Sequence, residues 1–251
     1  MRCITRQSFL IGVAASVAAP RALAFGQAGA FHPRMLLTGA ATWAGSRLRA
    51  PERWGWELVR RTSAPARAVC QTVRASDNRL LAEPFCVWAG EGEISPLTRR
   101  ELRVLGRFIQ LGGVMVVDDF EPRVGTFGRA ARRELARVLP ETLPVRLDPS
   151  HVLFKTFYMI ERPVGRVLGV DHVDAIVRGN NAQVLFLAHD LLGALAQSEI
   201  SEWVFETESP DPMFREQAAR LAVNIGMYLL CSDYKDDQVH APYLMRRRAA
   251  R

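Results

Sequence analysis

Three apolar runs in this sequence end in side chains that can carry charge or bind a ligand. "GGVMVVDDFEP" (112–122) closes on Asp118 and Asp119, with Glu121 just beyond. "PFCVWAGEGE" (84–93) closes on Gly90, Glu91, Gly92 and Glu93, and "NAQVLFLAHD" (181–190) on His189 and Asp190. Carboxylates and an imidazole in one place can hold a divalent cation, bind a cationic or polyhydroxyl ligand, or work as an acid and a base. The same residue types also form turns and cap helices, and Asp190 stands where it could cap "LLGALA". Asp118 and Asp119 must point to opposite faces if the strand persists to that point. The expectation is that Asp119 faces a cleft and Asp118 holds the turn. Gly90, Glu91, Asp118, Asp119, His189 and Asp190 are the candidate ligand-binding residues. Asp119 and His189 are the candidate pair for a hydrolase-like reaction on a small polar or sugar-like substrate, with or without the help of a divalent cation. His151 reads as a loop residue, and His32, His172 and His240 show no metal-ligand spacing.

These residues need a scaffold that brings strand ends together. "RMLLTG" (34–39) reads as a short strand ending in Thr38-Gly39, followed by a helix over 51–63 that opens with Pro51. "AVCQTVR" (68–74) reads as a second strand and "PFCVWAG" (84–90) as a third, apolar enough to be covered on both faces. A helix over 95–113 has Ser95 as its expected cap, an apolar face through Leu102, Leu105, Phe108 and Ile109, and a stop at Gly112-Gly113. The strand ending at Asp118 and a helix over 127–140 follow. This alternation argues for a mostly parallel sheet with helices on both faces. Gly179-Asn180-Asn181 between two later apolar runs signals a hairpin, and "MFREQAARLAVNIGMYLLC" (213–231) has helical apolar spacing. In an open parallel sheet, ligands bind outside the carboxyl ends of the strands, where the candidate residues fall.

The first residues read as an export signal. Arg2 and Arg6 precede the apolar run "FLIGVAASVAA" (9–19), and Ala22-Leu23-Ala24 suits cleavage. "TRQSFLIG" resembles a twin-arginine signal with Gln7 in the second arginine's place. The competing reading is an uncleaved anchor in the inner membrane. Cleavage leaves residues 25–251 as one α/β domain with a basic C-terminal tail and no later run of membrane-spanning length. The formal charge of +7 includes Arg2, Arg6 and Arg21. The remaining arginines alternate with acids and apolar residues, so they suit solvated helix faces better than a nucleic-acid stripe. Cys70, Cys86 and Cys231 are too few and too scattered for a disulfide framework, and each sits in an apolar run that suits a buried thiol.

No nucleophile elbow, phosphate loop, dinucleotide fingerprint or zinc-protease motif is present. The ordered segments "PFCVWAGEGEISPLTRRELRVLGRFIQLGGVMVVDDF", "FGRAARRELARVLP", "DPSHVLFKTFY", "LAHDLLGA", "REQAARLAVNIGMYLLC" and "DYKDDQVHAPYLMRRR" resemble the bacterial domain of unknown function 4159 family over residues 31 to 248. The resemblance implies a flavodoxin-like fold related to the class I glutamine amidotransferase-like superfamily, with trehalose-utilisation-like proteins as neighbours. Amidotransferases place a nucleophilic cysteine on the turn after a central strand; here that turn reads Asp118-Asp119-Phe120, so glutamine chemistry does not carry over. Relatives encoded near a MoxR-type ATPase and von Willebrand-type proteins imply protein partners and a role in cell-envelope assembly.

Overall fold

The computed structural model describes the backbone of residues 30–249 and the side chains of residues 30–231. The N-terminal residues read as an export signal, Cys3 and the side chains of the basic tail lie outside the described residues. Among those described, seven strands form one sheet: β1 (Met35–Leu37), β2 (Thr72–Arg74), β3 (Phe85–Gly90), β4 (Val114–Asp119), β5 (Val145–Leu147), β6 (Val173–Arg178) and β7 (Asn181–Leu187). Their order is β2-β1-β3-β4-β7-β6-β5. All neighbours are parallel except those of β6, which runs antiparallel to both β7 and β5. The Gly179-Asn180 turn joins β6 to β7, with Gly179 at φ 60. The helices are α1 (Ala50–Arg61), α2 (Arg99–Gln110), α3 (Thr126–Val138), α4 (Leu191–Leu195) and α5 (Pro212–Ala249).

Strand alternation builds two apolar layers. Phe85, Val87, Val114, Val116 and Leu185 face a core completed by Trp54 and Leu58 of α1, by α4, and by Leu221 and Ile225 of α5. Cys86, Trp88, Met115, Val117 and Phe186 face the other core, completed by Leu105 and Phe108 of α2 and Leu135 of α3. β1 leads through α1 to β2 on one side, whereas β3 sits on the other edge of β1 and leads through α2 to β4. Two crossovers of the same hand running in opposite directions put their helices on opposite faces. They also open a crevice at the carboxyl ends of β1 and β3, where the chain changes direction.

Three local details differ from the sequence expectations. The cap of α2 is Thr98 rather than Ser95: Thr98 accepts from Glu101 N, and the Glu101 carboxylate accepts from Thr98 N, a reciprocal box for which Ser95 has no partner acid. Cys70 precedes the short edge strand β2 and is half-buried. Cys231 is exposed, and α5 continues past it to Ala249.

Candidate ligand-binding cleft

The alternation of β4 continues through its last two residues and sends their carboxylates to opposite layers. Asp118 Oδ1 accepts from Leu191 N at 3.0 Å and Oδ2 from Leu192 N at 2.8 Å, so it holds the first turn of α4. Asp119 Oδ1 accepts from Glu121 N at 2.9 Å and Oδ2 from Gly128 N at 2.8 Å. The residue preceding α3, Gly125, has no side chain with which to cap it. Asp119 supplies that cap from the strand. A Cβ at Gly128 would stand 3.0 Å from Asp119 Oδ2, so glycine permits this close approach. The expectation holds for Asp118, which fixes a turn, and fails for Asp119. Asp119 holds the turn and the next helix, with both oxygens taken by backbone donors, and it does not face the cleft.

Asp190 also turns inward. It sits at φ 49, caps α4 by accepting from Gly193 N at 2.9 Å, and receives Arg47 through Nε at 3.1 Å and Nη2 at 2.7 Å. Arg166 donates to the same carboxylate. Asp118 and Asp190 are both fully buried. Burial pushes the Asp118 carboxyl up, and the neighbouring Asp190 charge adds to the rise, to about 8.

His189 is fully buried beneath the 164–170 segment. Its Nε2 donates to Val170 O at 2.9 Å, which places the proton on Nε2 and leaves buried Nδ1 without a partner. Burial lowers its pKa to about 4. Gly165 and Gly169 let the covering segment pass close by, since a Cβ at either would collide with His189 or the adjacent Ala188 carbonyl. Neither His189 nor Asp119 lines the cleft that Glu91 lines, so the three do not converge there. Among the described residues, no group of three or more His, Cys, Asp or Glu side chains is placed to hold a metal ion.

The crevice between β1 and β3 is a cleft of about 550 Å³. Of the six candidate residues, it brings together Gly90 and Glu91, joined by Thr38 at the end of β1. Glu93, Ser95, Trp88 and Phe127 line it from the β3–α2–α3 side. Trp43, Ser46 and Arg47 line it from the loop between β1 and α1, with Phe120 and Phe205 behind them. The Arg47 guanidinium lies 4.0 Å from the Phe120 ring centroid and 4.3 Å from that of Phe205. Its stacking on both rings and its two bonds to Asp190 fix its orientation. Sequence reading of the acids missed this wall. A signal was present: the stretch from Thr38 to Arg49 is long for a strand–helix connection, and loops of such length are commonly functional.

Thiol chemistry has no footing here. Cys86 is buried in β3 and its thiol is pushed up to about 12 by burial, while burial also raises half-buried Cys70. Neither lines the cleft.

Residues 35–230 match the family model described as Domain of unknown function (DUF4159). The chain belongs to this family. No curated protein matches it. The DUF4159 match begins at the first residue of β1 and ends within α5, so every strand and both walls of the cleft fall inside it. No helix among the described residues of this DUF4159 protein is long and apolar enough to cross a membrane.

Proposed function

We propose that this DUF4159 protein binds a small polar ligand in the crevice at the carboxyl ends of β1 and β3. The observation that carries the reading is position: a drug-sized cleft with aromatic walls and a few polar groups lies where the strand order changes direction. The partial strand order β2-β1-β3-β4 is compatible with a flavodoxin-like architecture, and a distant kinship with amidotransferase-like proteins fits it. The buried, protonated Cys86 and the Asp118-Asp119-Phe120 turn support a binding role over transfer of an amide nitrogen. Export belongs to the same proposal. Arg2, the run 9–19 and Ala22-Leu23-Ala24 support cleavage that would make Phe25 the first residue of the protein in its host's envelope, where a ligand-loaded form would meet its protein partners. N-terminal sequencing of the native protein checks that part, and an intact Met1 would overturn it.

The binding reading is tested by thermal-shift screening of polar metabolite classes against the wild type and Ser46→Trp. Ser46 is exposed on the cleft wall, so the indole fills the crevice without disturbing the core. Compounds that raise the wild-type melting temperature should leave the variant unmoved. Compounds that stabilise both proteins equally would overturn the assignment.

A further inference from the structure

Two charged groups in the cleft are left with unused bonding capacity, and they are of opposite sign. Arg47 spends Nε and Nη2 on Asp190 and both ring faces on Phe120 and Phe205. Its Nη1 has no hydrogen-bond partner among the described residues. Nor does it belong to the buried polar atoms left without one, and the side chain keeps 13% exposure at the cleft wall. Glu91 is exposed on the loop after β3 and forms no ion pair among the described residues, whereas neighbouring Glu93 is drawn to Arg133 at 3.1 Å. Arg47 and Glu91 thus come from the two loops that flank one crevice and do not pair with each other. Trp43, half-buried with its ring centroid 6.2 Å from that of Phe120, lines the same crevice, whereas Trp88 and Phe127 lie almost wholly buried at its floor.

We propose that the ligand is a zwitterion of dipeptide size, with an anionic oxygen group received by Arg47 Nη1, an ammonium by Glu91, and an apolar body against the half-buried Trp43. A simple anion would meet Arg47 but be repelled by Glu91 and Glu93. A simple cation would meet the acids but leave the guanidinium edge without an acceptor. A ligand carrying both charges satisfies both walls, and fixed groups of opposite sign also select its orientation. The guanidinium is already immobilised by its rings and by Asp190, so binding costs it little further ordering. The volume of about 550 Å³ is drug-sized and leaves room for more than a single amino acid.

This proposal rests on the reading of the crevice as a ligand site, and calorimetry separates the two. The probes are free dipeptides with one aromatic side chain, each also prepared N-acetylated and C-amidated, titrated into the full chain, Glu91→Gln and Ser46→Trp. The expected result is binding of a free dipeptide that weakens by about tenfold or more on either blocking step, the scale of one charge-assisted hydrogen bond. Glu91→Gln should bind the free and N-acetylated forms alike, and Ser46→Trp should bind neither. Equal binding of blocked and free dipeptides would overturn the zwitterion. Binding of a neutral, purely anionic or purely cationic compound, abolished by Ser46→Trp and unaccompanied by any dipeptide, would overturn it while leaving the cleft assignment standing. If Ser46→Trp abolishes binding of no compound, both fall.

Discussion

Asp118 and Asp119 are adjacent in sequence, yet their carboxylates tie down helices on opposite sides of the sheet. Asp118 takes the Leu191 and Leu192 amides of α4, and Asp119 takes the Gly128 amide of α3. The two-residue period of a strand makes this division unavoidable once β4 extends to its last residue. Adjacent acids at the mouth of a central strand are here a device for docking two helices, one per layer.

Asp119→Ala should therefore destabilise the fold. It removes the acceptor for Gly128 N and Glu121 N and leaves α3 with only Gly125 at its cap position. The expected loss is about 2 kcal/mol, the upper range for a helix cap. It should appear as a lower urea midpoint with unchanged ligand affinity. A fully stable Asp119→Ala variant that has lost ligand binding would return Asp119 to the cleft.

Asp118 should leave a pH signature. Its folded-state pKa, about 8, lies above the ordinary carboxylate value because of burial and the Asp190 charge. A raised carboxylate pKa contributes stability that is present below about pH 4 and is lost as pH rises through the folded value. The stability of the wild type relative to Asp118→Asn should therefore decline from pH 4 to pH 8. Parallel denaturation series check this, and a difference that is flat or rises over that window would contradict it.

His189 should titrate in the opposite sense. Its pKa, lowered to about 4 by burial, means that stability is lost as pH falls from the unfolded-state value near 6.5 through the folded one. His189→Gln keeps a donor for the Val170 carbonyl and removes the titration. The wild type should lose stability relative to this variant on acidification from pH 6.5 to 4, and the imidazole should remain neutral by NMR at pH 5.5. An imidazole titrating near 6.5 would show that it reaches solvent.

Much of this was legible in the sequence, and the rest was hidden for identifiable reasons. The runs at 84–90 and 114–118 are apolar on both sides of the pleat because they lie inside the sheet, so β3 and β4 could be read directly. The opposite orientation of Asp118 and Asp119 followed from strand geometry alone. Their roles did not, because these depend on where α3 and α4 lie, and α4 begins at Leu191, far along the chain. The pairing of Arg47 with Asp190 crosses a sequence separation of 143 residues, and no local pattern encodes it. Thr98 outcompetes Ser95 as a cap through Glu101, a signal present in the sequence as Thr-x-x-Glu.

The thiols should rank by burial. Peptide-resolved alkylation of the native protein should label exposed Cys231 first, half-buried Cys70 later and Cys86 only on unfolding. The protein should show no glutaminase activity. Rapid labelling of Cys86, or glutamine hydrolysis lost in Cys86→Ala, would contradict its placement as a protonated core thiol.

The most direct measurement is where small molecules settle on the folded protein. Crystals soaked with a library of polar and aromatic fragments should show them clustered between the ends of β1 and β3, against Trp43 and the Nη1 edge of Arg47. Fragments gathered instead in the surface cavity beside α1, lined by Arg53, Trp56, Gln197 and Ser201, with the β1–β3 crevice bare, would contradict the assignment of this crevice as the ligand site.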